Sequence, residues 1–157
     1  MPKKSAGILL YRIHQNKPEF FLVHPGGPFW KNKDLHTWSI PKGEIDETED
    51  AYHAALREFH EETGIQITPE KTIPLTPVKQ KGGKIIYAWG VKGDFDPAKL
   101  KSNTFEMEWP PRSGKKAVFP EVDKGEWFDL HEAKEKINPA QYFLLEELAN
   151  KLKKEKE

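Results

Sequence analysis

Between Gly43 and Ile65 the chain reads GEIDETEDAYHAALREFHEETGI, a run closed by a glycine near each end. Its apolar and charged residues recur at the three- and four-residue spacing of a helix, not at the alternation of a strand. Asp46 followed by Glu49 makes a capping-box pattern, and Gly64 supplies a C-terminal stop, so the helix is expected from Asp46 to Thr63. At about 100° per residue, Glu58, Glu61 and Glu62 share one arc. Tyr52, Leu56 and Phe59 fall on a neighbouring arc and are expected to face the core. Asp50, His53, Arg57 and His60 are expected to point toward solvent or loops.

The segment holds eight acids (Glu44, Asp46, Glu47, Glu49, Asp50, Glu58, Glu61 and Glu62) and one strong base, Arg57. The whole chain balances at 25 Lys+Arg against 25 Asp+Glu. Stacked carboxylates repel and raise one another's pKa unless a cation sits among them. Their oxygens suit a hard ion such as Mg²⁺ or Mn²⁺, which takes few protein ligands and completes its shell with phosphate oxygens. The plain alternative is a solvated acidic face, the usual meaning of such a run.

The flanking sequence sets this helix in an α+β chain. Ser5–Ile13 and Glu19–Pro25 read as strands joined by a turn, and Thr37–Pro41 as a brief strand entering Gly43. Lys84–Val91 is an aromatic and β-branched strand after a KGGK turn. Gly93–Asp123, rich in Pro, Gly and charge, reads as loops around one short strand. Gly125–Leu130 is a last strand. His131–Ile137 and the segment from Pro139 onward are helices; in the second, Tyr142, Leu145, Leu148 and Leu152 recur on one face.

The 157 residues suggest one domain, 1–157, with 36% hydrophobic and 32% charged residues. Balanced charge gives no global reason to bind nucleic acid or membrane. Without cysteine there is no disulfide, thiolate nucleophile or thiolate metal site. The apolar run near the N-terminus stops after Tyr11, too short for a signal core or a membrane span, so a cytoplasmic address is expected.

From Gly43 the order is Gly, five residues, Glu49, seven residues, Arg57-Glu58, apolar Phe59, one residue, Glu61-Glu62, one residue, Gly64 and Ile65. This resembles the Nudix hydrolase signature without a departure. SAGILLYR near the start and PEVDKGEWFDLHEA near the end are also similar to that family. The resemblance implies an α/β/α sandwich with a mixed sheet and a central catalytic loop-helix-loop. It implies a Mg²⁺- or Mn²⁺-dependent pyrophosphohydrolase acting on a nucleoside diphosphate linked to another moiety. Glu58, Glu61 and Glu62 would hold the metal with the Lys42 carbonyl, and Glu49 and Arg57 would pair to brace the acids. Gly43 and Gly64 would permit the turns. Metals neutralise phosphate charge and orient an in-line water, whose proton a glutamate accepts. Glu58, Glu61, Glu121 and Glu126 are the base candidates.

WSIPKGE (Trp38–Glu44) is similar to the approach to the box in diadenosine and diphosphoinositol polyphosphate hydrolases. SNTFEMEWPPRSG (Ser102–Gly114) is similar to a bacterial branch described as predicted NTP pyrophosphohydrolases. Lys42, Lys79, Lys84 and Arg112 are candidates for phosphate contacts, and Trp109 or Phe105 for stacking on a base; for each, a solvated or structural role is the alternative. His24 and His36 read as packing or surface residues. The expected substrates are dinucleoside polyphosphates, ahead of NTPs. The rival readings are a MutT-like sanitiser of oxidised dNTPs and a nucleotide-sensing module that binds without hydrolysis, though such modules commonly lose box carboxylates.

Overall fold

In a computed structural model describing residues 3–155, Lys4–His14 (β1) and Lys17–Pro25 (β2) form the expected hairpin. Gln15 and Asn16 turn it with positive φ at both positions, as a tight two-residue turn requires. The register printed for this pair runs from His14–Lys17 to Tyr11–Phe20. Beyond it the segment after Trp38 enters between the two strands. Ser39 exchanges backbone hydrogen bonds with Val23, while Lys42–Glu44 (β3) pairs antiparallel with Ser5–Gly7 of β1. The expected strand at Thr37–Pro41 is therefore only isolated bridges, with the regular pairing one step later. That placement brings Lys42 and Gly43 against the central helix.

Ile85–Lys92 (β6) runs parallel to β1. Thr72–Pro74 (β4) and Val78–Lys79 (β5) pair with β6, and Val122–Asp129 (β9) pairs with β2. The mixed sheet has the order β4-β6-β1-β2-β9, with β3 on β1 and β5 on β6. Alternation along β1 gives each face a core of its own. Ala6, Ile8 and Leu10 pack with Ala54, Ala55 and Phe59 of the helix Ala51–Thr63 (α1). Leu9 and Tyr11 pack on the other face with Ala133 of Leu130–Lys136 (α2) and with Leu144, Leu145, Leu148 and Leu152 of Tyr142–Glu155 (α3). Helices thus cover both faces of the sheet, as the resemblance implies.

Three sequence expectations are corrected. The helix begins at Ala51, not Asp46, because Asp50 accepts the His53 N–H at 2.9 Å and caps it. Asp46 and Glu49 form a separate turn ahead of it, closed by Asp46 N–H to Glu49 Oε1 (3.1 Å) and Glu49 N–H to the Asp46 carbonyl (3.0 Å). The buried face of α1 is led by Ala54, Ala55 and Phe59, while Tyr52 and Leu56 are half-buried. Finally, Gly93–Asp123 holds two strands, Thr104–Glu108 (β7) and Lys116–Pro120 (β8), paired as a separate hairpin. Phe105 and Met107 lie opposite Phe119 and Ala117 on its half-buried face. This alternation is masked in the sequence by the proline and lysine around it.

No helix among the described residues is long and apolar enough to cross a membrane. The last helix was expected to run to the chain end; Lys156 and Glu157, like Met1 and Pro2, lie outside the described residues.

Candidate active site

The C-terminal half of α1 carries its acids toward β3. The Glu58 carboxylate lies so close to Gly43 that a Cβ there would meet Glu58 Oε2 at 1.9 Å. Any side chain at Gly43 would displace that acid. At the other end, Gly64 caps the helix with φ 74° and donates to the His60 carbonyl at 2.7 Å, a left-handed cap that glycine takes without strain.

The helical arc alone points Arg57 toward solvent or loops, whereas the resemblance pairs it with Glu49; the side chain turns inward and binds the acids together. Its Nε and Nη2 donate to the two Glu49 carboxylate oxygens at 2.6 and 2.7 Å. Its Nη1 donates to Glu58 at 2.8 Å and to Glu61 at 3.1 Å, and Nη2 also reaches the Glu44 carbonyl at 3.2 Å. The bond to Glu49 comes first in raising the Arg57 pKa against the effect of burial, and the same bond lowers that of Glu49.

Glu58 is nevertheless pushed up, first by burial and then by Glu61. Glu62 accepts the Lys42 N–H at 3.2 Å. Burial dominates its environment and pushes its pKa up to about 8, with Lys42 opposing and Glu121 and Glu58 adding to the rise. Lys42 moves the other way, lowered first by burial and next by the neighbouring Lys84 ammonium.

Glu121 comes from the bend between Pro120 and Val122, just ahead of the last strand and far along the chain. Backbone hydrogen bonds bring it to α1: Asn103 donates to the Glu61 carbonyl at 2.9 Å and accepts the Glu121 N–H at 2.8 Å. Glu121 is pushed up by burial and by Glu61.

Lys42, Glu49, Arg57, Glu58, Glu61, Glu62, Glu121 and Lys84 therefore meet at one end of the sheet. Glu126 does not join them. It lies opposite Leu22 in register, and Leu22 belongs to the core on the α2–α3 side; directly paired residues share a face, so Glu126 sits across the sheet from α1. Arg112, at the tip of the β7–β8 hairpin, is exposed, with its N–H donating to Glu108 at 2.6 Å. Trp109 packs edge-on to Phe29 at 5.6 Å, and Phe105 faces Phe119 at 6.0 Å. His24 is a buried structural residue, with Nδ1 2.8 Å from Asp123 and Nε2 2.6 Å from the Lys33 carbonyl. His36 is exposed.

The acids suit a hard divalent ion by type and by their mutual repulsion. In the arrangement seen, Arg57 bridges Glu58 and Glu61 and Glu62 turns to the Lys42 amide, so no three acid or histidine side chains among the described residues converge as a ligand set.

Without divalent metal, Glu62 gives stability a defined pH dependence. Its folded pKa lies above its ordinary 4.5, so the folded state binds more protons between that value and about 8, and stability falls as pH rises through this window. Chemical denaturation in chelator across that range should show this component in the wild type and its loss in Glu62→Gln. Identical pH profiles would rule it out.

A helix that arrays acids against the fork of a mixed sheet, braced by an internal arginine, is the arrangement that the sequence resemblance implies. The chain belongs to the Nudix family: the family model described as NUDIX domain matches residues 1–148. Members of this family generally use divalent metals. The chain is 40% identical over 65 residues to an asymmetrical bis(5'-nucleosyl)-tetraphosphatase of Caenorhabditis elegans, a match taking in 41% of this chain and 43% of that one. It is 30% identical over 148 residues to an RNA pyrophosphohydrolase of Bartonella henselae, covering 82% and 76% of the two chains. The match thus spans under half the length of the nematode relative. Among solved structures, a C. elegans Ap4A hydrolase binary complex superposes with TM-score 0.62 at 23% identity, over 96% of this chain and 97% of that one. A MutT/Nudix protein from Listeria innocua superposes with TM-score 0.64 at 20% identity, over 99% and 97%. These two likenesses establish the fold alone.

Proposed function

We propose that the protein hydrolyses a phosphoric anhydride in a nucleoside diphosphate linked to another moiety, with dinucleoside polyphosphates preferred and Mg²⁺ or Mn²⁺ as cofactor. In this reading one domain acts in the cytoplasm on small nucleotides. Glu58, Glu61, Glu62 and the Lys42 carbonyl would hold the metal. The bound ion would supply charge neutralisation on the phosphates and an acidified water. Arg57 and Glu49 position the carboxylates. Glu121 makes no ion pair among the described residues, whereas Arg57 engages both Glu58 and Glu61, so Glu121 is the acid best free to accept a proton from water.

The observation that carries the preference for a long phosphate chain is the pairing of two ammonium groups, Lys42 and Lys84, beside the acids. They are near enough for Lys84 to lower the Lys42 pKa, and a polyphosphate relieves that repulsion. Each charge-assisted contact contributes roughly 1.5–3 kcal/mol, so two that strengthen in the transition state separate long from short chains by at least about a hundredfold in kcat/KM. The similarity to an RNA pyrophosphohydrolase over most of the chain favours a second reading, action on a 5'-triphosphorylated RNA end.

The test compares kcat/KM for diadenosine tetraphosphate, dGTP, its 8-oxo form and a triphosphorylated oligoribonucleotide, with Mg²⁺ at fixed ionic strength. Diadenosine tetraphosphate should lead, and Lys42→Ala and Lys84→Ala should shrink its lead. A better rate on oxidised dGTP, or equal losses on all substrates in the variants, would replace this reading with the sanitiser. Leadership by the RNA would establish the second reading.

A further inference from the structure

Next to the acids, the β2–β3 loop presents an aromatic ring that the phosphate chemistry does not use. Trp30 is 41% exposed and lines a cleft of about 240 Å³ together with Lys42, Glu62, Gln80, Glu121 and Asn138. Exposing so much indole is unfavourable, yet the loop holds it in place. The Trp30 backbone N–H donates to the Gly27 carbonyl at 3.4 Å, and its backbone carbonyl accepts the Lys33 N–H at 3.0 Å. The Lys33 carbonyl is in turn held by the buried His24 at 2.6 Å. Asp34, next in sequence, accepts from Trp38 Nε1 at 2.8 Å and pairs with Lys136. The Lys33 ammonium lies over one face of the indole, 5.2 Å from its centre.

The cleft is smaller than the roughly 300–1,000 Å³ of pockets for drug-sized ligands, so it does not hold both ends of a dinucleotide. Gln80 is positioned on its wall by the turn that also carries Lys84, through Gln80 N–H to the Lys84 carbonyl at 2.7 Å. The Gln80 side-chain amide makes no hydrogen bond among the described residues, and it offers both donors and an acceptor to a base edge.

We infer that Trp30 is the stacking platform for one nucleobase of the substrate, with Gln80 at the edge of that base, while the phosphates run toward Lys42 and the α1 acids. This rests on the nucleotide-hydrolase reading above. Stacking on an aromatic side chain tolerates any base, so the platform sets the need for a base and not its identity.

The experiment is calorimetric binding of α,β-methylene-ATP and of inorganic tripolyphosphate, in Mg²⁺, to wild type, Trp30→Ala and Trp30→Phe. Trp30→Ala should weaken the nucleotide at least tenfold, Trp30→Phe should recover most of that loss, and tripolyphosphate should stay within twofold throughout. Unchanged nucleotide binding, equal weakening of both ligands, or a wild type that binds tripolyphosphate but no nucleotide overturns the platform. Turnover of ATP and diadenosine tetraphosphate by the wild type is measured alongside. Turnover with Trp30-independent binding defeats the platform and leaves the hydrolase reading standing; Trp30-dependent binding without turnover does the reverse.

Discussion

Glu61→Gln and Glu62→Gln each lower kcat/KM by at least two orders of magnitude while the protein stays folded. Glutamine keeps the shape and one acceptor oxygen but removes the charge that a divalent ion requires. In Glu62→Gln the amide oxygen still accepts the Lys42 N–H, which Glu62 meets at 3.2 Å. The change also removes a carboxylate that burial and its acidic neighbours already disfavour in its charged form. In chelator this variant is therefore as stable as the wild type, or more so above neutral pH. Glu61 contributes to the elevation of both Glu58 and Glu121, so its neutralisation relieves both. The measurements are kcat/KM with Mg²⁺ and denaturation midpoints in chelator. Near-wild-type turnover in both variants would remove the proposed metal site.

Arg57→Ala costs both stability and activity. Its guanidinium gathers Glu49, Glu58, Glu61 and the Glu44 carbonyl into one network. The arginine side chain is 37% exposed but the Glu58 side chain only 12%, so water screens part of the loss and cannot fully rehydrate Glu58. Leaving that carboxylate without its donor should destabilise the fold by about 1–3 kcal/mol. Turnover should fall further than stability accounts for, because Glu58 and Glu61 lose the donor that sets their separation. Arg57→Lys keeps the charge but not the fork, and should recover stability more than rate. A loss under about 0.5 kcal/mol with full activity would show Arg57 to be an ordinary surface residue.

Much of this arrangement is legible in the residues themselves. The i, i+3, i+4 spacing of Glu58, Glu61 and Glu62 places them on one arc of any helix they form, and Gly64 marks its end. The continuous apolar runs of β1 and β2 and the leucine spacing in α3 are likewise local signals, carried by neighbouring residues. The helix start is ambiguous in the sequence because Asp46–Glu49 and Asp50 both carry capping chemistry. Nothing in the local pattern shows that Arg57 would hold Glu49 and leave the cap to Asp50.

Tertiary structure decided what faces those acids. Glu121 and Glu126 stand in one acidic, aromatic stretch and were equal candidates. Strand register puts Glu126 with Leu22 on the far face, while Asn103 holds Glu121 beside Glu61. Those last bonds are between backbone groups, which every residue possesses, so no side chain announces them. Trp30, Gln80 and Lys84 meet Lys42 and Glu62 only because β3 enters the fork between β1 and β2 and the β5–β6 turn closes beside it. Local periodicity is determined by neighbours along the chain. The composition of the cleft depends on contacts between distant segments, whose pairing is settled only when the two cores pack.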